Sequence, residues 1–129
     1  MSIPGKSMKI GGWNYHVGDV GEGDKVVMLV HGMPDDGSCW KYQVPALVNA
    51  GYRCIVPDPL GYGRTDRPVE VEHYKVEKII GHMFEIIEKS GLKDINLVGH
   101  DWGSAITWAM VMQKPLLFPH MSIGDNVAF

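Results

Sequence analysis

The sequence predicts an α/β fold: an N-terminal β-hairpin, then a mostly parallel sheet flanked by helices. Three observations carry that reading. Short apolar runs at residues 25–30, 52–57 and 94–99 are bounded by turn residues and have the look of buried parallel strands. The stretches between them have helical rather than alternating apolar period. Each run also ends in a segment marked by Gly with Pro or charged residues, at the strand ends where open α/β sheets bind ligands.

The elements follow in chain order. Residues 7–10 and 13–20 flank Gly11-Gly12, the arrangement of a β-hairpin. The first buried run is Lys25-Val26-Val27-Met28-Leu29-Val30. A helix is expected over residues 40–49, with Gly51 as its stop; Pro45 either kinks it or lies in its first turn. The second run is Tyr52-Arg53-Cys54-Ile55-Val56-Pro57. Residues 71–90 form the clearest helical pattern, because Val76, Ile79, Ile80, Met83, Phe84, Ile86 and Ile87 recur near helical period before Gly91. The third run is Asp94-Ile95-Asn96-Leu97-Val98-Gly99. A helix over residues 102–113 ends before Pro115, and residues 120–123 are expected to add one more strand.

Composition narrows the function classes. The chain has 129 residues, 45% hydrophobic and 21% charged, which suits one domain with one core. Twelve Lys and Arg against fifteen Asp and Glu give −3, so no basic excess points to nucleic acid. No stretch reaches the roughly 20 apolar residues of a membrane span. The first residues hold no apolar core of a secretory signal. Cys39 and Cys54 form neither a disulfide framework nor a zinc spacing, which fits a reducing cytoplasm; no cofactor or metal motif is read.

Chemistry is sought after each run. His31-Gly32-Met33-Pro34-Asp35-Asp36-Gly37 follows the first. Gly32 allows an unusual backbone direction and Pro34 stiffens the turn, so the loop can aim a backbone N–H such as that of Met33 into a pocket. Taken alone, the segment reads first as a plain strand-to-helix turn capped by Asp35 or Asp36. The segment from Asp58 to Pro68, with Gly61, Gly63 and Arg64, lacks the endings of phosphate-binding loops and reads as an ordered structural loop. Gly99-His100-Asp101-Trp102-Gly103 after the third run is the sharpest signal. It has the G-x-S-x-G nucleophile-elbow layout with Asp101 in the serine position. Such a turn lifts the central side chain and leaves the Trp102 N–H at a helix N-terminus, where negative charge is favoured. The plainer alternative is Asp101 as a helix N-cap. A carboxylate nucleophile suits displacement at saturated carbon, giving an ester that water must then hydrolyse.

With three motifs in order, the chain resembles the epoxide hydrolase and haloalkane dehalogenase branch of the α/β-hydrolase fold. The resemblance rests on His31-Gly32-Met33-Pro34 with Trp40 following, on residues 61–68, and on Gly99-His100-Asp101-Trp102-Gly103, and runs from about Trp13 to Pro119. The stretch from Trp40 to Leu47, then Ala50 to Arg53, looks more like epoxide hydrolases. The resemblance implies Asp101 as nucleophile and the backbone N–H groups of Met33 and Trp102 as oxyanion hole. It implies a substrate surface formed by His31, Pro34 and Trp102, a small apolar epoxide or related electrophile as substrate, and no cofactor. A haloalkane dehalogenase-like activity would need halide donors, of which Trp102 supplies one. Aspartate at the elbow excludes a serine esterase.

Family members continue into a helical cap, further core strands, a catalytic acid and a catalytic histidine. The resemblance therefore implies a truncated α/β-hydrolase fold, with residues 1–129 as the N-terminal part of a core domain and the cap and C-terminal strands absent. His120 is expected too far from the elbow, at the opposite edge of the sheet, to act as the base. His100 should point away from Asp101, and His31 more often fills a packing role than a ligand's. His16, His73 and His82 carry no motif. Asp125, which follows the last expected strand, is a weak candidate acid beside the reading of a frayed terminal residue. A sheet stopped there exposes an edge strand and leaves one face short of helices, so a homodimer or a complementing chain is expected. The competing reading is a non-catalytic fragment that acts as an interaction module.

Overall fold

The computed structural model describes residues 3–32 and 37–123. Six strands form one mixed sheet: β1 (Gly5–Ile10), β2 (Trp13–Val20), β3 (Val26–Val30), β4 (Arg53–Pro57), β5 (Ile95–Gly99) and β6 (His120–Ile123). Their spatial order is β1-β2-β4-β3-β5-β6. The β1–β2 and β2–β4 pairs are antiparallel, and β4–β3, β3–β5 and β5–β6 are parallel. The hairpin turns on Gly11 and Gly12, both at positive φ (57° and 85°), which its tight two-residue loop requires.

Three α-helices cover the sheet: α1 (Gln43–Asn49), α2 (Val76–Lys89) and α3 (Trp102–Gln113). α2 and α3 lie on one face, where Ile79, Met83, Ile86, Ile106 and Met110 pack against Met28, Val30, Ile55 and Leu97. α1 lies on the other, where Val44 and Trp40 meet Val27, Leu29, Cys54 and Val56. On that second face Asn96 and Val98 of β5 are only half-buried, whereas Ile95 and Leu97 on the first are buried. Among the described residues, that second face is thus the more open one at β5.

Two helices differ from their expected limits. The helix expected over residues 40–49 starts at Gln43, after a 3₁₀ turn at Gly37–Trp40. Pro45 therefore sits in the first turn, where its missing N–H costs no helical bond. The helix expected over residues 71–90 is broken. Val71–Tyr74 form a 3₁₀ turn, Lys75 is extended (φ −59°, ψ 140°), and α2 begins at Val76. The cause is that the apolar period starts only at Val76: Val71 is exposed, and the Tyr74 hydroxyl turns back to donate to the Pro68 carbonyl at 2.6 Å.

The strand order positions the site. From β3 the chain passes through α1 to β4 on one side; from β4 it passes through α2 to β5 on the other. β3 is therefore the point where the winding reverses, and the crevice of such sheets opens at the carboxyl ends of the two strands that part there. In this chain those ends are His31-Gly32 after β3 and His100-Asp101 after β5.

Candidate active site

Asp101 sits between β5 and α3 with φ 56° and ψ −122°, a backbone conformation that L-residues rarely adopt. Its side chain makes no capping bond to α3. The N-cap alternative thus lacks the bond that would define it. The helix is opened instead by backbone bonds, from Gly103 N–H to the His100 carbonyl and from Ser104 N–H to the Asp101 carbonyl, both 2.9 Å. Trp102 N–H precedes them at the helix N-terminus.

Glycines let three backbones converge. A Cβ on Gly103 would strike the Val30 carbonyl oxygen, and one on Gly99 would strike the Thr107 hydroxyl. A Cβ on Gly32 would lie 2.5 Å from both Cβ and Oδ2 of Asp101. Gly32 is not among the described glycines with positive φ. The expectation that it serves an unusual backbone direction is therefore corrected: Gly32 provides room for Asp101. His100 N–H donates to the Val30 carbonyl at 3.1 Å, which ties the end of β5 to β3.

The loop after β4 closes one side. Asp66 accepts from Asn14 N–H at 2.8 Å, and Thr65 Oγ1 accepts from His16 N–H at 3.0 Å while donating to the Asp58 carbonyl at 2.6 Å. It is the ordered loop the sequence suggests, and it also brings a residue to the site. Tyr62 lines a cavity of about 310 Å³ with Leu60, Tyr74, Ile79, Trp102 and Ile106. Burial, and after it the negative charge of Asp101, pushes the Tyr62 phenol up, so Tyr62 feels the carboxylate. Trp102 stays 48% exposed at the rim. A cavity of about 320 Å³ beneath α1 is lined by residues such as Val20, Lys41 and Val44 and lies apart from Asp101.

The other proposed residues fall as follows. The His31 side chain is buried and engaged by Asp58, so it does not line an open substrate surface as the resemblance implied. His100 packs edge-on against Trp40, on the face of α1. His120 pairs with Asn96 at the opposite strand ends from Asp101. Its strand neighbours β5, so the separation runs along the strands and not across the sheet. His82 Nδ1 lies 2.8 Å from the Tyr15 hydroxyl, and the His73 ring lies against Trp13. Met33, Pro34, Asp35, Asp36 and Asp125 lie outside the described residues. Sequence reading missed Asp58 and Tyr62 as parts of the site; the one signal for Asp58 is a carboxylate directly after a buried strand. Among the described residues no three or more His, Cys, Asp or Glu converge as metal ligands would, and no helix is long and apolar enough to cross a membrane.

The chain is similar to known proteins. The chain is 38% identical over 125 residues to bifunctional epoxide hydrolase 2 of Sus scrofa, covering 91% of this chain and 22% of the relative. It is 38% identical to epoxide hydrolase 3 of Siraitia grosvenorii, covering 81% and 33%. Among solved structures, an epoxide hydrolase variant of Vigna radiata superposes with a TM-score of 0.89 at 34% identity, covering 94% of this chain and 38% of that one. Epoxide hydrolase A of Mycobacterium thermoresistibile superposes with a TM-score of 0.88 at 29% identity, covering 95% and 39%. The chain thus spans between about a fifth and two fifths of the length of these proteins. The profile of the alpha/beta hydrolase fold matches residues 25–122, and the chain belongs to that family.

Proposed function

We propose that this chain carries the nucleophile half of an epoxide hydrolase, as the N-terminal part of an α/β-hydrolase core domain. The observation that carries the reading is Asp101: a carboxylate on a strained turn at the winding reversal, packed against Gly32 and not used as a helix cap. An Asp101 oxygen attacks an epoxide carbon. The C–O bond of the ring breaks, an ester forms on Asp101, and the released alkoxide takes a proton from solvent water, leaving hydroxide. Hydrolysis of that ester to a diol, with the Met33 and Trp102 N–H groups holding the oxyanion, follows only where a base activates water.

The second step needs a base to activate water. His31 is engaged by Asp58, His100 by the Trp40 side, and His120 lies at the far strand ends, so the reading confines these residues to alkylation. The substrate class is a small apolar epoxide or related electrophile, in keeping with the apolar wall of Leu60, Ile79, Ile106 and Trp102. Two further parts of the reading concern surroundings. Among the described residues β6 pairs only with β5, and this open edge suits a second copy or a complementing chain. Cys39 and Cys54 are not joined in a disulfide, in keeping with a reducing cytoplasm.

The test is intact-mass spectrometry after incubation with styrene oxide and, separately, an alkyl bromide. A stable adduct of one equivalent, lost in Asp101→Asn, is expected. Equal labelling of that variant would overturn the assignment.

A further inference from the structure

The strand ends hold a pair of titratable groups that do not themselves react in the alkylation step. His31 follows β3 and Asp58 follows β4, and their side chains are 0% and 4% exposed. His31 Nε2 lies 2.9 Å from Asp58 Oδ1, and Nδ1 lies 3.1 Å from the Gly32 carbonyl oxygen. A carbonyl oxygen only accepts, so Nδ1 carries a hydrogen and donates it to Gly32. Asp58 is itself held: Arg64 N–H donates to Oδ2 at 3.2 Å. Gly63 passes close enough that a Cβ there would strike the same oxygen. Tyr62 closes the ring's remaining side, edge-on, with centroids 5.7 Å apart. The imidazole is therefore locked in orientation.

Gly32 is where that lock reaches the chemistry. It is the residue whose missing Cβ makes room for Asp101. Its carbonyl, which His31 holds, is one end of a planar peptide unit whose other end is the Met33 N–H. Turning the carbonyl turns the whole unit.

We infer that His31 is a positioning residue for the reaction at Asp101: braced by Asp58, its Nδ1–H holds the peptide unit after β3 in register with the nucleophile. The inference rests on the reading of Asp101 as nucleophile.

Two substitutions separate the two bonds of His31 in the full 129-residue chain. In His31→Asn the amide nitrogen falls near the place of Nδ1 and still donates to Gly32. In His31→Gln it reaches the place of Nε2 and serves Asp58 alone. The rate of styrene oxide adduct formation is measured against epoxide concentration, below the melting temperature of each variant. His31→Gln is expected to lower the maximal rate by about 10- to 100-fold with little change in half-saturation, and His31→Asn to keep most of it. A merely structural role would lower both melting temperatures without separating the two maximal rates. Equal rates in the two variants, or a wild-type rate in His31→Gln, would overturn the inference while the wild-type adduct leaves Asp101 as nucleophile. Absence of any wild-type adduct would remove that reading first, and the inference with it. Should the variants fail to fold, nitrogen-15 NMR of the wild type decides: a slowly exchanging hydrogen on Nδ1 is expected, and a bare Nδ1 overturns the inference.

Discussion

α2 and α3 pack on the same face of the sheet, yet they obey different rules. α2 turns Ile79, Ile80, Met83, Ile86 and Ile87 inward and keeps Glu77, Lys78, Glu88 and Lys89 outside. Its one glycine, Gly81, faces open space. α3 buries Ser104 and Thr107, leaves Ser104 Oγ without a hydrogen-bond partner, and exposes Trp102, Trp108 and Met112. It begins at a residue with φ 56° and presses Gly103 against the Val30 carbonyl. α2 is a helix selected by packing, whereas the start of α3 is set by where Asp101 must stand. Broken local rules concentrated at one end of one helix mark a site more sharply than any single motif residue.

The contrast can be broken most forcefully from both sides. Gly103→Ala forces a Cβ into backbone and is expected to cost about 3 kcal/mol in denaturant unfolding and to abolish adduct formation. Met83→Ala, in the core beneath α2, is expected to cost a similar amount, about 3 kcal/mol, while the folded fraction still forms the adduct. Asp101→Gly relieves the positive φ, so it should gain about 1 kcal/mol as adduct formation disappears. Gly81→Ala should gain up to about 1 kcal/mol by helix propensity alone, with adduct formation unchanged. If the alanines at Gly103 and Gly81 shift stability in the same direction, the distinction between the two helices is wrong.

The smallest expected effect is a pH dependence placed in α2. Leu60 N–H donates to the Tyr15 hydroxyl at 3.1 Å, and that hydroxyl faces His82 Nδ1. Burial holds the His82 pKa below its ordinary value of 6.5. The unfolded chain therefore takes up a proton at His82 before the folded one does. This contribution to stability is whole above about pH 6.5 and is lost as pH falls below it. Thermal melts between pH 8 and 5 should show a decline that His82→Gln reduces.

Much of this molecule was legible in its residues because the relevant signals are local. Apolar runs bounded by turns mark β3, β4 and β5, and Gly99-x-Asp101-x-Gly103 marks the elbow, since a tight turn needs small residues within two positions of its centre. What escaped is long-range. His31 and Asp58 are 27 residues apart and meet only because β3 and β4 are neighbours in the sheet. Tyr62 reaches Trp102 through a loop whose course is fixed by Asn14 and His16 of β2. The break at Lys75 escaped because Val71 looks like one more apolar position until its exposure is seen.

The central claim is that the strained turn makes Asp101 the reacting group, and locating the covalent bond tests it most directly. Peptide mapping by tandem mass spectrometry after styrene oxide treatment reads the site of attachment. Cys54 is a poor competitor, because burial pushes its thiol up to about 11. Cys39, half-buried beside Trp40, is the more exposed thiol. The expected result is a base-labile ester on Asp101 and an unmodified Cys39 peptide. Attachment at Cys39 or at a histidine, with the Asp101 peptide unmodified, would contradict it.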